Sequence, residues 1–110
     1  MLDTSPLTDA VERFADRLRA APQSRLQRGA AAEGLALARE LAVRAQRLEG
    51  ADGAVAPREM PDEGVFAVGD QVAVAGTDLA EALRNAATAS PGMVDEAVRL
   101  VAEAERRALA

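Results

Sequence analysis

Apolar residues recur at helical spacing near the start of the chain. The first stripe runs at steps of four, three and four: Leu7, Val11, Phe14 and Leu18. Thr4 or Ser5 can cap a helix here, and Pro6 suits its first turn. Pro22 ends the segment because a proline pushes the residue before it out of helical geometry. The pattern predicts a first helix over residues 5–21.

A second stripe alternates steps of four and three, which is typical of one helix packed along another. Its members are Leu26, Ala30, Gly34, Leu37, Leu41, Ala45 and Leu48. With Ser24 as a cap, it predicts a helix over residues 24–49. Gly29 and Gly34 are weak points in this helix, and either of them can mark a bend or a close helix crossing.

The stretch from 64 to 83 fits two structures. Two short runs of valine and alanine on either side of Gly69-Asp70 fit a β-hairpin with a two-residue turn. A ribbon of two short strands is marginal in water, however, and no third strand is evident. One helical phase runs through the whole stretch: Val65, Val68, Val72, Ala75, Leu79, Ala82 and Ala86. The helix is favoured, and it is predicted over residues 62–88.

A fourth helix is predicted over residues 91–108, with Ser90 as its cap and Pro91 in its first turn. Between helices two and three, residues 50–63 are rich in proline and glycine and show no period. This long loop either is fastened to the bundle by Met60 or acts as a lid or recognition segment. The prediction is a single all-α domain over residues 1–110, an antiparallel four-helix bundle.

Small residues mark one side of the third predicted helix: Gly69, Ala73, Gly76 and Ala80. Two internal glycines each cost a helix about 1 kcal/mol relative to alanine. Close contact with another helix explains them, either helix two or the same helix of a second chain. These four residues are therefore the candidate partner-binding residues, and a homodimer is the expected assembly.

The composition excludes several chemistries. The chain has no His, Cys, Trp or Tyr, which rules out thiolate nucleophiles, Cys/His metal sites and histidine bases within it. It shows no EF-hand spacing and no phosphate-binding loop, so neither metal nor cofactor is expected. Alanine supplies 27 of the 54 apolar residues, which predicts a thin core that a partner can complete.

Charge is divided unevenly along the chain. Residues 1–48 carry eight Arg and six acids, whereas residues 49–110 carry five Arg and twelve acids. The net charge of -5 argues against nucleic acid as a partner. The two halves either attract each other, within one chain or between two, or simply present solvated faces. No apolar run reaches membrane-spanning length, and the N-terminus does not resemble a signal peptide, so a cytoplasmic protein is expected.

These observations favour a non-catalytic interaction or adaptor protein that self-associates. The alternative is a small-ligand-binding or enzymatic bundle. It would use Gln71 and Asp78, facing Arg39 or Arg44 of the second helix, together with the 50–63 loop. The same polar residues equally fit hydrogen bonds that fix the register of the helices.

Overall fold

The computed structural model describes residues 1–50 and 58–110. Its elements are α1 (Ser5–Ala20), the single turn α2 (Gln23–Arg25), α3 (Ala31–Glu49), α4 (Val68–Asn85) and α5 (Pro91–Leu109). A wide helical turn, Leu26–Ala30, joins α2 to α3. The described residues contain no strand, so the helical interpretation of the stretch from 64 to 83 is confirmed, as is the all-α bundle of four long helices.

The four long helices occupy the corners of a bundle. α1 and α3 lie at opposite corners, and each of them packs against both α4 and α5. The predicted stripes face the centre; Leu7, Phe14, Leu41, Val72 and Val101 are fully buried there. No helix in the described residues is long and apolar enough to span a bilayer.

Two sides of the bundle are antiparallel, as predicted. Arg19 near the end of α1 is bonded to Asp70 at the start of α4. At the other end of this pair, Arg84 of α4 donates to Thr4 just before α1. Between α3 and α5, the ion pairs Glu33–Arg107 and Arg44–Glu96 likewise join opposite ends of the two helices.

The other two sides are parallel. In α1 and α5, Arg13 and Arg17 both bond to Glu105, and Arg17 also reaches the carbonyl of Leu109. In α3 and α4, the starts of both helices meet where Gly34 lies against Val68. Their ends meet where Leu48 lies near Leu83. Along the chain the helices therefore run up, down, down and up.

This order explains the long connection between α3 and α4. A helix of 19 residues is about 28 Å long, and the chain must return over that length before α4 runs in the same direction. Residues 58–67, here called the strap, make the described part of this return along α3 and α4. The idea that the 50–63 loop is a lid concerns mainly residues 51–57, which lie outside the described residues.

The two glycines of the second predicted helix have different roles. Gly29 has a φ of 144°, which only glycine adopts easily, and it bends the chain between α2 and α3. Gly34 lies where helices cross closely, since a Cβ atom there would be 3.0 Å from Leu18 Cδ1 and 3.1 Å from Val68 Cγ2. Both alternatives predicted for these glycines are thus present, one at each residue.

The third predicted helix is shorter than expected, because α4 begins at Val68 instead of residue 62 and ends at Asn85 instead of residue 88. Asp62 accepts a hydrogen bond from the Gly64 amide at 2.9 Å, which stabilises a turn in competition with the helix. Gly64 itself has a φ of 96° and cannot belong to a right-handed helix.

The predicted side-chain caps are absent. Neither Thr4 nor Ser90 makes a capping hydrogen bond to its helix. The Thr4 hydroxyl instead accepts a hydrogen bond from Arg84 at 2.8 Å. Before α1, Asp3 accepts hydrogen bonds from the side chain and the amide of Ser5, and these bonds lower the pKa of Asp3.

Candidate functional site

The four small residues proposed to bind a partner lie on the side of α4 that faces α1. A Cβ atom at Gly76 would lie 2.5 Å from Val11 Cγ1, and one at Gly69 would lie 3.0 Å from the carbonyl oxygen of Ala15. Ala80 is buried and Ala73 is half-buried. At the two glycines the covering helix is therefore α1 of the same chain, and binding of a second copy by the four residues stays a prediction.

The three polar residues of the ligand-binding alternative do not converge. Gln71 Nε2 donates to the carbonyl of Pro61 at 2.8 Å, and Arg39 Nε donates to the carbonyl of Met60 at 2.8 Å. Asp78 is exposed on the outer side of α4. Gln71 and Arg39 thus bind neighbouring carbonyls of the strap, and Asp78 makes no hydrogen bond to either of them.

Further contacts fasten the strap to α3. Gln46 donates to the carbonyl of Arg58 at 3.2 Å and accepts from its amide at 2.8 Å. Glu59 pairs with Arg39 at 3.3 Å, and Met60 packs partly buried against the core. The first part of the strap, up to Pro61, is therefore held by side chains of both α3 and α4, so the rest of the strap starts from a defined position.

At its far end the strap presents an aromatic side chain to solvent. Phe66 is 71% exposed, whereas the other phenylalanine, Phe14, is fully buried. Asp62 and Glu63 lie just before it, are exposed, and make no ion pair within the described residues. We call residues 62–66 the Phe66 knob. Sequence reasoning missed it because the predicted helix over 62–88 extended through it, although Phe66 falls outside the apolar phase of Val65 and Val68.

A concave surface of opposite charge lies at the same end of the bundle. It has a volume of about 450 Å³, and we call it the arginine depression. It is lined by three arginines, Arg25, Arg28 and Arg107, by one carboxylate, Glu33, and by small residues: Gly29, Ala30, Ala32, Ala108 and Ala110. Its position depends on the bend at Gly29, which the sequence offered only as one of two alternatives.

The three arginines differ in their partners. Arg107 donates to Glu33 at 2.8 Å, and this hydrogen bond raises the pKa of Arg107. Arg25 and Arg28 are exposed, and within the described residues they make no ion pair. Two guanidinium groups of the depression thus have no carboxylate partner among residues 1–50 and 58–110.

The knob and the depression are neighbours. A cleft of about 270 Å³ separates α2 and the start of α3 from the knob; its walls include Leu26, Ala32, Asp62, Gly64 and Val65. Ala32 also lines the arginine depression. One end of the bundle thus carries an acidic aromatic projection beside a basic concave surface.

The part of the chain described by the structure holds no cluster of three or more potential metal ligands. Every buried side-chain nitrogen or oxygen there has a hydrogen-bond partner. No protein-family model matches the chain, and neither curated proteins nor solved structures give a match.

Proposed function

We propose that this chain is a non-catalytic helical interaction protein that forms a homodimer through one end of its bundle. The Phe66 knob of each copy enters the arginine depression of the other. The observation that carries this proposal is that one end of the molecule holds an exposed phenylalanine beside two carboxylates, next to a concave surface lined by three arginines.

The charges support this pairing. Residues 58–83 carry six carboxylates and one arginine, a net charge of -5 that equals that of the entire chain. Asp62 and Glu63 of the knob are not paired within the described residues, and the same is true of Arg25 and Arg28. Opposite charges across an interface guide association and select the correct partner.

The apolar part of the contact is supplied by Phe66. Phe66 is 71% exposed in the described structure, and aromatic residues are enriched among those that dominate binding energy. The alanines and glycine of the depression leave room for a ring, and the guanidinium groups of its arginines can stack on the face of that ring.

The adjacency of the two surfaces supports a closed dimer. In a two-fold symmetric interface, each contact occurs twice, with the roles of the copies exchanged. The knob and the depression share one end of the bundle, so a single two-fold axis satisfies both contacts. The assembly then stops at two copies instead of continuing as a filament.

Two further parts of the proposal come from the sequence. The negative charge of the strap and α4 disfavours nucleic acid as a partner, because it repels phosphate groups. A binding assay with duplex DNA at low salt tests this expectation directly. A cytoplasmic location is proposed with it and is tested by fractionation of the native host.

Light scattering during size-exclusion chromatography tests the dimer. At about 50 µM, well above a Kd of micromolar order, the wild type should have twice the chain mass of 11.5 kDa. Phe66→Ala should return it to 11.5 kDa because the apolar anchor is lost. The matched control is Val74→Ala, which truncates another exposed apolar residue outside the proposed interface and should leave the dimer intact.

Two results would oppose the proposal. A wild-type chain of 11.5 kDa at this concentration would exclude the dimer. Dimers that survive Phe66→Ala and Val74→Ala equally would show that the copies meet through another surface.

A further inference from the structure

A second concave surface lies at the opposite end of the bundle, where α3 and α4 end and α5 begins. It has a volume of about 240 Å³. We call it the leucine pocket; it is lined by Arg44, Arg47, Leu48, Leu79, Leu83, Met93, Glu96 and Ala97. Its position and lining are separate from those of the knob and the arginine depression.

The interior of the leucine pocket is apolar. Leu79 and Leu83 belong to the core and are almost fully buried, and Leu48 is half-buried at the side. α5 contributes Met93, Glu96 and Ala97 to the lining, and Ala97 has only a methyl side chain. Met93 is 38% exposed and lies in the first turn of α5. An apolar group that enters this pocket packs against leucine and methionine side chains and is thereby removed from water.

The two arginines of the pocket are in different electrostatic states. Arg44 bonds to Glu40 at 2.7 Å and to Glu96 at 3.2 Å. Partial burial lowers the pKa of Arg44, but the two carboxylates outweigh this and raise it overall. Arg44 is thus already neutralised. Arg47 is exposed and makes no ion pair or hydrogen bond with the described residues, so it offers a positive charge beside the apolar interior.

These features define the class of ligand. An apolar interior with one available cation matches a molecule with an apolar body and a single negative charge. Polyanions such as nucleotides do not match a site with one arginine that lacks a carboxylate partner among the described residues. The pocket is also smaller than the roughly 300–1,000 Å³ of sites for drug-sized ligands, so the ligand is small.

We propose that the leucine pocket binds a small amphiphilic monocarboxylate, with its alkyl chain against Leu48, Leu79, Leu83 and Met93 and its carboxylate on Arg47. This inference does not rest on the proposed dimer, because the pocket lies at the other end of the bundle.

Calorimetric titration with hexanoate, octanoate and decanoate tests the ligand class. Each added methylene should tighten binding about fourfold, as expected for its burial, until the pocket is full. Decan-1-ol should bind more weakly than decanoate, and decylammonium more weakly still, because Arg47 attracts only the anion. Absence of decanoate binding at millimolar concentration, or equal binding of all three head groups, would overturn the proposal.

Variants locate the binding site. Arg47→Gln should weaken decanoate binding about fivefold, the size expected for an exposed ion pair, and leave decan-1-ol unaffected. The matched control is Arg99→Gln, an exposed arginine of α5 outside the pocket, which should bind decanoate like the wild type. Equal weakening by both substitutions would contradict a role of Arg47 in binding the head group.

Ala97→Leu should abolish binding of both decanoate and decan-1-ol by filling the pocket, with circular dichroism to confirm the fold. Met93→Glu, at a partly exposed position, serves where Ala97→Leu does not fold. It should weaken decanoate more than decan-1-ol, because both ligands lose an apolar contact but only the anion is also repelled. Decanoate binding that persists in the folded variants would place the ligand elsewhere and overturn the proposal. None of these changes should alter the mass of the assembly, so the dimer and the ligand site are tested separately.

Discussion

At the scale of single residues, Gly76 shows how the absence of a side chain sets the distance between two helices. A glycine inside a helix costs about 1 kcal/mol relative to alanine. At Gly76 this cost is offset, because a Cβ atom would lie 2.5 Å and 2.6 Å from the two γ-carbons of Val11. The valine is fixed in the core and has little freedom to move. Gly76 therefore lets α1 and α4 approach closely.

Gly76→Ala should accordingly destabilise the fold in spite of the better helix propensity of alanine. We expect the free energy of unfolding to fall by about 1–3 kcal/mol, the usual cost of overpacking a core. Urea unfolding followed by circular dichroism measures it. The control is Gly92→Ala in the first turn of α5, where the nearest atom to a new Cβ is Ser90 Oγ at 3.7 Å. A Gly76→Ala protein as stable as the wild type would refute this role.

At the scale of elements, the strap depends on side chains for its position. Gln46, Arg39 and Gln71 bond to the backbone of Arg58, Met60 and Pro61 respectively. In a helix, backbone carbonyls are bonded by backbone amides, whereas these three carbonyls of the strap are bonded by side chains. The Phe66 knob is the next part of the strap after Pro61, so the same three side chains determine where it projects.

Gln71→Ala should loosen the strap without unfolding the bundle. Loss of one hydrogen bond of about 1 kcal/mol should speed amide exchange of strap residues such as Gly64 and Ala67 about fivefold. Asp78→Ala is the matched control, since Asp78 is exposed on the same helix and does not contact the strap. Hydrogen exchange measured by NMR compares the two, and equal exchange of the strap in both variants would contradict the anchoring role of Gln71.

The range of a helix was predictable where a single apolar stripe ran along its whole length. α1 and α5 each differ from their predicted ranges by a single residue at one end. The start of α4 was not predictable, because the turn at Asp62 and Gly64 competes with the helix through a local hydrogen bond. Apolar periodicity contains no information on that competition. Apolar periodicity also does not distinguish a bend from a close helix crossing, so the bend at Gly29 was predicted only as one of two alternatives.

At the scale of the whole molecule, the stripes predict that helices pack but not which helices are neighbours or how they run. The spacing of Gly69 and Gly76 indicated a close helix contact, yet only the fold shows that α1 makes it. Gln71 and Arg39 were expected to face each other, and they bind carbonyls of the strap that no pattern identifies as partners. Arg25, Arg28 and Arg107 come together because α5 runs antiparallel to α3.

The length of the connection after α3 was the one signal of this topology in the sequence. A connection between antiparallel neighbours needs only a few residues, whereas a return along a helix needs many. The return places the Phe66 knob beside the arginine depression, which lies on a distant part of the sequence. The charge difference between the two halves of the chain is consistent with contacts both within one copy and between two.

The central claim is the reciprocal contact between knob and depression, and a mixing experiment tests it most directly. With Arg28→Glu, the added negative charge in the depression of one copy repels the acidic knob of a second copy of the same variant. With Glu63→Arg, the added positive charge on the knob repels the arginines of the depression in a second copy of that variant. Each variant alone should have the 11.5 kDa mass of one chain in light scattering. In an equal mixture, a dimer of one copy of each variant has opposite charges in both contacts. The knob with Arg at position 63 meets the depression with Glu at position 28, and the unchanged knob meets the unchanged depression, so the measured mass should double. A mixture that stays at 11.5 kDa, or variants that dimerise alone, would contradict the account.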